Sequence, residues 1–163
     1  MRKDARGGQQ VKKRRRSRQE RNPDTAVFHF YNANPKNRIT GDCTFRAIAT
    51  AMEKPWEVVV MEMAEMSCRT GYAINDKLGI ECYLKEQGWV KHRQPRWCGN
   101  LKYTGAEFCL NMQQGGTFEE LQNVNVVANI GGHHITCIKN AKVHDIWDCT
   151  GKCIGNYWTK EEL

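Results

Sequence analysis

The chain has 163 residues, a formal net charge of +7 and 40% hydrophobic residues. This length is sufficient for one domain with its own hydrophobic core, so folding does not require a metal or disulfides. The sequence has no apolar run of about 18 residues and no apolar segment in its charged N-terminal region. We therefore expect no membrane-spanning helix, no secretory signal and no membrane partner, with the cytoplasm as the location.

The positive charge is concentrated at the N-terminus. Residues 1–22 contain 10 lysine and arginine residues and 2 acidic residues, a net charge of +8, whereas the rest of the chain has a net charge of −1. Such a segment repels itself and has no apolar periodicity, which predicts a disordered basic tail over residues 1–24 and one domain over residues 25–163. The tail would bind nucleic-acid phosphates without reading sequence, although a solubilising or removable leader has the same composition.

Helices are predicted in the first half of the domain and strands in the second half. The pattern predicts a strand, three helices and a short strand at residues 26–31, 43–52, 55–68, 76–88 and 89–91. A helix over residues 104–111 and a capping box over residues 117–120 follow, and then strands at residues 125–130, 134–138 and 143–148. This order predicts an α+β fold.

Cys43 lies at the predicted start of a helix. Gly41 permits a sharp turn before it, and Asp42 is placed to cap the exposed amides of the first turn. The positive end of the helix favours a thiolate at Cys43, which is the nucleophilic form of the side chain. The negative charge of Asp42 partly opposes this effect, so we expect a base from elsewhere in the fold.

The predicted base is a histidine in the strands near the C-terminus. Residues 125–130 and 134–138 flank a Gly-Gly pair as in a hairpin, and a second hairpin connects to residues 143–148. His134 and Asp148 then fall at the far ends of neighbouring antiparallel strands. His134 would take the proton of Cys43 while Asp148 orients the imidazole ring, as in a catalytic triad.

A cysteine at a helix start, followed by histidine and aspartate on consecutive strands, resembles the papain-like cysteine peptidase superfamily. The Gly-His-His-Ile and Asp-x-Trp-Asp segments are most similar to compact bacterial and phage members, including double-glycine peptidases. The resemblance covers roughly residues 28–158. It implies a papain-like fold, with N-terminal helices packed on a C-terminal antiparallel sheet. It also implies cleavage of an amide or isopeptide bond of a protein or peptide through a thioester, without a cofactor or a metal.

The resemblance also assigns individual roles. Asn37 precedes Cys43 by six residues, where the family carries an oxyanion-hole amide. The family's spacing favours His134 over His133 and Asp148 over Asp145. Strand alternation does not distinguish the two histidines, because both faces of residues 133–138 are mixed. His133 and Asp145 therefore remain the alternatives.

The sequence contains 8 cysteines, and we expect most of them to be reduced because the chain is long and has no visible secretory signal. Zinc binding is a competing prediction for the residues His133, His134, Cys137, Cys149 and Cys153, but a second closely spaced cysteine pair is missing. A further alternative is a nucleic-acid-binding protein that uses the basic tail and keeps an inactive peptidase-like domain as a binding module.

Overall fold

The structure is a computed structural model that describes residues 14–160. Its helices are α1 (Arg18–Arg21), α2 (Cys43–Met52), α3 (Trp56–Thr70), α4 (Lys77–Glu86) and α5 (Gly105–Gln113). Its strands are β1 (Phe28–Phe30), β2 (Trp89–His92), β3 (Arg96–Trp97), β4 (Leu101–Lys102), β5 (Val126–Ile130), β6 (His134–Lys139), β7 (Lys142–Asp145) and β8 (Ile154–Lys160). The predicted α+β class is confirmed. Between residues 14 and 160, no helix combines the length and hydropathy needed to cross a membrane.

Six strands form one sheet in the order β1-β7-β6-β5-β8-β2, while β3 and β4 form a separate hairpin. The sheet is mixed, because β1 runs parallel to β7 whereas the other neighbours are antiparallel. The expectation of a purely antiparallel sheet is therefore wrong at this edge. Parallel neighbours need a long crossover, and here the chain between β1 and β7 supplies it with four helices and three strands of the sheet.

The sheet is covered on two sides. Helices α2, α3 and α4 pack with β5, β6 and β8 in one hydrophobic core, which includes Ile48, Met63, Leu84, Ile135 and Trp158. A second core joins α5 to β1, β5, β7 and β8, and includes Phe28, Phe108, Met112, Val143 and Ile154. Helix α2 lies across β6 and also contacts β7, so the helix that starts at Cys43 is fixed against the strands that carry the predicted base.

The turn between β6 and β7 sets the register in which these two strands pair. Asn140 and Ala141 both have positive φ angles, of 51° and 52°, as in a tight two-residue hairpin turn. Lys139 therefore pairs with Lys142, and Cys137 with His144. Strand β7 ends at Asp145, one residue beyond the last of these pairs.

Two helix starts differ from the predictions. Asp76 caps α4, because its side chain accepts a hydrogen bond from the Leu78 amide at 2.9 Å. Asp42 precedes α2 but makes no side-chain capping bond. The capping box expected over residues 117–120 is also not formed, since residues 119–121 make a short 3-10 helix without a side-chain cap. A capping box is found instead between Thr104 and Glu107 at the start of α5.

The basic segment contains structure before the predicted domain boundary. Ser17 caps the short helix α1, and the Asn22 side chain accepts a hydrogen bond from the Asp148 amide at 2.9 Å. Asn22 thus contacts the segment that follows β7, and the domain boundary after residue 24 stays a prediction. Residues 1–13, which hold much of the predicted tail, lie outside the described residues, and nucleic-acid binding by residues 1–22 stays a prediction.

Gly105 generates a prediction about stability. A Cβ atom there would lie 2.9 Å from Ile130 Cδ1 and 3.1 Å from the Thr150 Cα, so a methyl group added at the start of α5 would press on the backbone of Thr150. We expect Gly105→Ala to lower the free energy of unfolding by about 1–3 kcal/mol, measured by chemical denaturation. Gly151→Ala is the control, because its Cβ would meet no atom within 4 Å. Equal stability of the two variants would contradict this account of the packing.

Candidate active site

Cys43 is the first residue of α2 and is partly exposed in a cleft of about 550 Å³. Residues from two sides line this Cys43 cleft. Gly41 and Thr44 flank the cysteine on the helix side, while Ile135 and Trp158 contribute from the sheet. The thiol is therefore placed where a bound molecule can reach it.

The first turn of α2 has no side-chain cap, because the carboxylate of Asp42 does not accept a hydrogen bond from its amides. The Asp42 carboxylate is 4% exposed and instead contacts the Arg46 guanidinium and the Asn34 side-chain amide, the latter at 3.0 Å. The opening amides of a helix have no intrahelical acceptor, and the helix dipole makes this end positive. The start of α2 can therefore stabilise an anion, such as a thiolate or a developing oxyanion.

His134 is the first residue of β6 and connects Cys43 to a buried carboxylate. Its Nε2 atom lies 2.5 Å from Asp145 Oδ2, and the Asp145 side chain is only 3% exposed. Because Nε2 is engaged by Asp145, Nδ1 is the ring nitrogen left for the thiol. The arrangement of thiol, imidazole and carboxylate is the one that nucleophilic catalysis by cysteine requires.

The pKa values of the pair move in opposite directions. Burial raises the pKa of Cys43, but hydrogen bonding to His134 and to the Ile135 backbone outweighs it, and the net pKa is lower than usual. Burial also lowers the pKa of His134, yet hydrogen bonds to Asp145, Cys149 and Cys43 raise it to about 11. These shifts favour a thiolate at Cys43 beside an imidazolium at His134.

Arg46 joins the helix side of the site to the sheet side. Its guanidinium contacts the carboxylate of Asp42, the residue before α2, and its Nη2 atom lies 3.7 Å from Asp145 Oδ1. Arg46 is 5% exposed, and burial lowers its pKa against the raising effect of Asp145. The sequence analysis missed this residue, although a charged residue among the apolar positions Phe45, Ala47 and Ile48 is an available signal.

Two further side chains contact the imidazole of His134. The Trp147 indole nitrogen lies 3.2 Å from His134 Nε2, and the two rings pack edge to face with centroids 5.2 Å apart. Since Nε2 gives its proton to Asp145, it has no lone pair for the indole, and Trp147 acts by packing. Cys149 is buried, and desolvation raises its pKa, so only Cys43 combines access to the cleft with a lowered thiol pKa.

The prediction that Asp148 orients His134 is corrected by the structure. Asp148 follows the end of β7, and its Oδ1 atom accepts hydrogen bonds from the Thr150 amide at 3.0 Å and from the Thr150 hydroxyl at 2.6 Å. The two-residue turn instead directs Asp145 to the side of the hairpin that carries His134. Asp145, the reserve in the sequence analysis, is the partner of His134.

Of the other predicted residues, Asn37 lies outside the Cys43 cleft and His133 lines it. Asn37 is exposed in a turn with a φ of 51°, its amide donates to the Asn34 carbonyl at 2.9 Å, and it does not line the cleft. The side-chain amides that do line it belong to Asn75 and Asn129. His133 also lines the cleft but lies in the β5–β6 turn rather than in a strand, so the alternation of strand faces does not apply to it.

The five residues of the zinc prediction are not brought together. All eight cysteines are free, and a smaller group, His134, Asp145 and Cys149, has its potential ligand atoms within 4.8 Å of one another. Asp145 in this group already faces the positive charge of Arg46 and bonds His134 Nε2. A cation would have to compete with both, so the group is better explained as an internal charge network.

No protein-family model matches the chain, and neither the characterised proteins nor the solved structures gave a match.

Arg46 is expected to be essential for the stability of the site. Replacement by methionine keeps the apolar contacts of the side chain but removes the guanidinium, so that the buried Asp42 loses its cation and Asp145 keeps only His134. We expect Arg46→Met to lower the free energy of unfolding by about 3–5 kcal/mol, measured by urea denaturation. Arg38→Met, at an exposed position, is the matched control and should change it by less than about 0.5 kcal/mol. If Arg46→Met is as stable as the control, the network does not hold the site.

Proposed function

We propose that this protein is a papain-like cysteine hydrolase that cleaves an amide or isopeptide bond in a protein or peptide. Cys43 is the nucleophile, His134 exchanges the proton, and Asp145 orients the imidazole. The observation that carries the proposal is the partly exposed Cys43 thiol with its lowered pKa, beside a histidine that is bonded to a buried carboxylate. The order of these residues along the chain agrees with the family resemblance.

The first chemical step forms the bond between sulfur and substrate. The Cys43 thiolate attacks the carbonyl carbon, and the electron pair of the carbonyl double bond moves to its oxygen. The uncapped amides at the start of α2 lie beside the sulfur and are suited to stabilise this oxyanion. Their contribution requires no side chain, so the exposed position of Asn37 does not weaken it.

The next steps release the two products. The His134 imidazolium gives its Nδ1 proton to the leaving amine, the carbon–nitrogen bond breaks, and a thioester to Cys43 remains. His134 then takes a proton from water as the water oxygen attacks the thioester carbon. The carbon–sulfur bond breaks, the carboxylic acid leaves, and the thiolate–imidazolium pair is restored. Asp145 holds the imidazole in one orientation throughout and stabilises its positive charge.

The proposal is tested by the rate at which each cysteine reacts with iodoacetamide, followed by mass spectrometry of peptides. Cys68, Cys98 and Cys153 are exposed and act as internal references. At pH 6, an ordinary thiol is almost entirely protonated, whereas the lowered pKa of Cys43 gives it a larger fraction of thiolate. We expect Cys43 to react at least about tenfold faster than each reference, because one unit of pKa changes the thiolate fraction tenfold.

Variants of His134 and Asp145 distinguish activation of the Cys43 thiol from its simple exposure to the reagent. We expect His134→Ala to reduce the pH 6 rate of Cys43 about tenfold or more, because it removes the imidazolium that stabilises the thiolate. Asp145→Asn should reduce the rate as well, because it removes the carboxylate that stabilises the imidazolium. Asp148→Asn is the matched control and should leave the rate unchanged, since its Oδ1 atom can still accept from Thr150. A slow Cys43 in the unmodified protein, or equal rates in all three variants, would refute the proposed nucleophile.

A further inference from the structure

Apart from the thiolate of Cys43, the charge on the walls of the Cys43 cleft is positive. Lys77, the first residue of α4, lines the cleft on the helix side, and His133 lines it from the β5–β6 turn. None of the described residues that line the cleft is an aspartate or a glutamate. Lys77 is exposed, and among residues 14–160 its ammonium forms no ion pair.

The carboxylates that neighbour Lys77 in the chain or contact Arg46 are engaged elsewhere, and Glu81, one turn along α4, pairs with Lys91. Asp76, next to Lys77, accepts a hydrogen bond from the Leu78 amide and so caps α4. Asp42 and Asp145 are buried, contact Arg46, and do not line the cleft. Lys77 is therefore the uncompensated charge that a molecule in the cleft would meet.

The other residues that line the Cys43 cleft suit a ligand with an apolar chain that ends in a charged group. Ile80, Ile135 and Trp158 provide apolar surface, while the amides of Asn75 and Asn129 can bond to a peptide backbone. A glutamyl side chain has this combination, because its methylene groups pack on apolar surface and its carboxylate pairs with an ammonium.

Building on the proposed function, we propose that the Cys43 cleft selects peptide substrates with an acidic side chain beside the scissile carbonyl, and that Lys77 is the residue that binds this carboxylate. Lys77 is a specificity residue and takes no part in the chemical steps. Its removal changes which substrate is preferred, and leaves the activation of Cys43 by His134 intact.

The first test compares iodoacetate with iodoacetamide as reagents for Cys43. Both reactions form the same sulfur–carbon bond and release iodide, but only iodoacetate carries a carboxylate. We expect Lys77→Glu to lower the ratio of the iodoacetate rate to the iodoacetamide rate about two- to fivefold, and Lys77→Gln to lower it less, as for a partly screened ion pair. The differences should shrink in about 0.5 M salt.

The control for the charge change is Lys85→Glu, because Lys85 is exposed in the last turn of the same helix and does not line the cleft. The ratio should stay at its unmodified value in this variant. A ratio that falls equally in Lys77→Glu and Lys85→Glu would reflect net charge alone and would overturn the proposal.

The second test uses two N-terminally blocked tripeptide aldehydes that differ only in glutamate or glutamine at the residue bearing the aldehyde. The thiolate adds to the aldehyde carbon, and the oxygen takes a proton from His134, which reversibly protects Cys43 from iodoacetamide. We expect the glutamate aldehyde to protect at a lower concentration than the glutamine aldehyde, and this preference to disappear in Lys77→Glu.

The outcomes distinguish the two proposals. If Cys43 reacts with iodoacetamide no faster than Cys68, the proposed function fails and the specificity proposal fails with it. If Cys43 is fast but neither the reagent ratio nor the aldehyde preference changes in Lys77→Glu, the proposed function stands and the role of Lys77 is wrong.

Discussion

The site depends on one buried cation between two buried carboxylates. Asp42 and Asp145 are each 4% exposed, and Arg46 contacts both. An unpaired carboxylate at such positions would be strongly disfavoured, because burial removes the water that stabilises its charge. The guanidinium allows Asp145 to remain a hydrogen-bond acceptor for His134. The imidazolium of His134 in turn allows Cys43 to ionise. The ionisation of Cys43 therefore depends on Arg46, which is linked to the sulfur through Asp145 and His134.

The same network connects the two halves of the fold. Cys43, Asp42 and Arg46 belong to α2 and the residue before it, whereas His134 and Asp145 belong to adjacent strands of the sheet. Hydrophobic packing of α2 on β6 brings these elements together but does not determine the orientation of the side chains. The paired charges provide that orientation, since a guanidinium has a fixed arrangement of donors. Because Asp42 does not cap α2, the first amides of this helix also remain available to an anion.

The sequence predicts the α+β class, Cys43 at a helix start, and His134 at the start of a strand, because each depends on local patterns. The spacing of the family favours Asp148 over Asp145, whereas the register of the hairpin favours Asp145. A two-residue turn at Asn140 and Ala141 places Asp145, not Asp148, on the side of His134, and both turn residues are readable in the sequence. Strand β8 had no prediction, since Gly155 and Asn156 interrupt its hydrophobic pattern. The role of Arg46 depends on its contact with Asp145 in a distant segment of the chain, which no local sequence pattern encodes.

The protonation state of His134 tests the central claim most directly. Nitrogen-15 NMR of the histidine rings, assigned with His134→Gln, distinguishes an imidazolium from either neutral tautomer at pH 8. The account predicts that both nitrogens of His134 carry protons at this pH, because its pKa is raised to about 11. It also predicts that Cys43→Ser lowers this pKa, since the thiolate that stabilises the imidazolium is removed. A neutral His134 at pH 8, with a pKa near the usual value of about 6.5, would contradict the account.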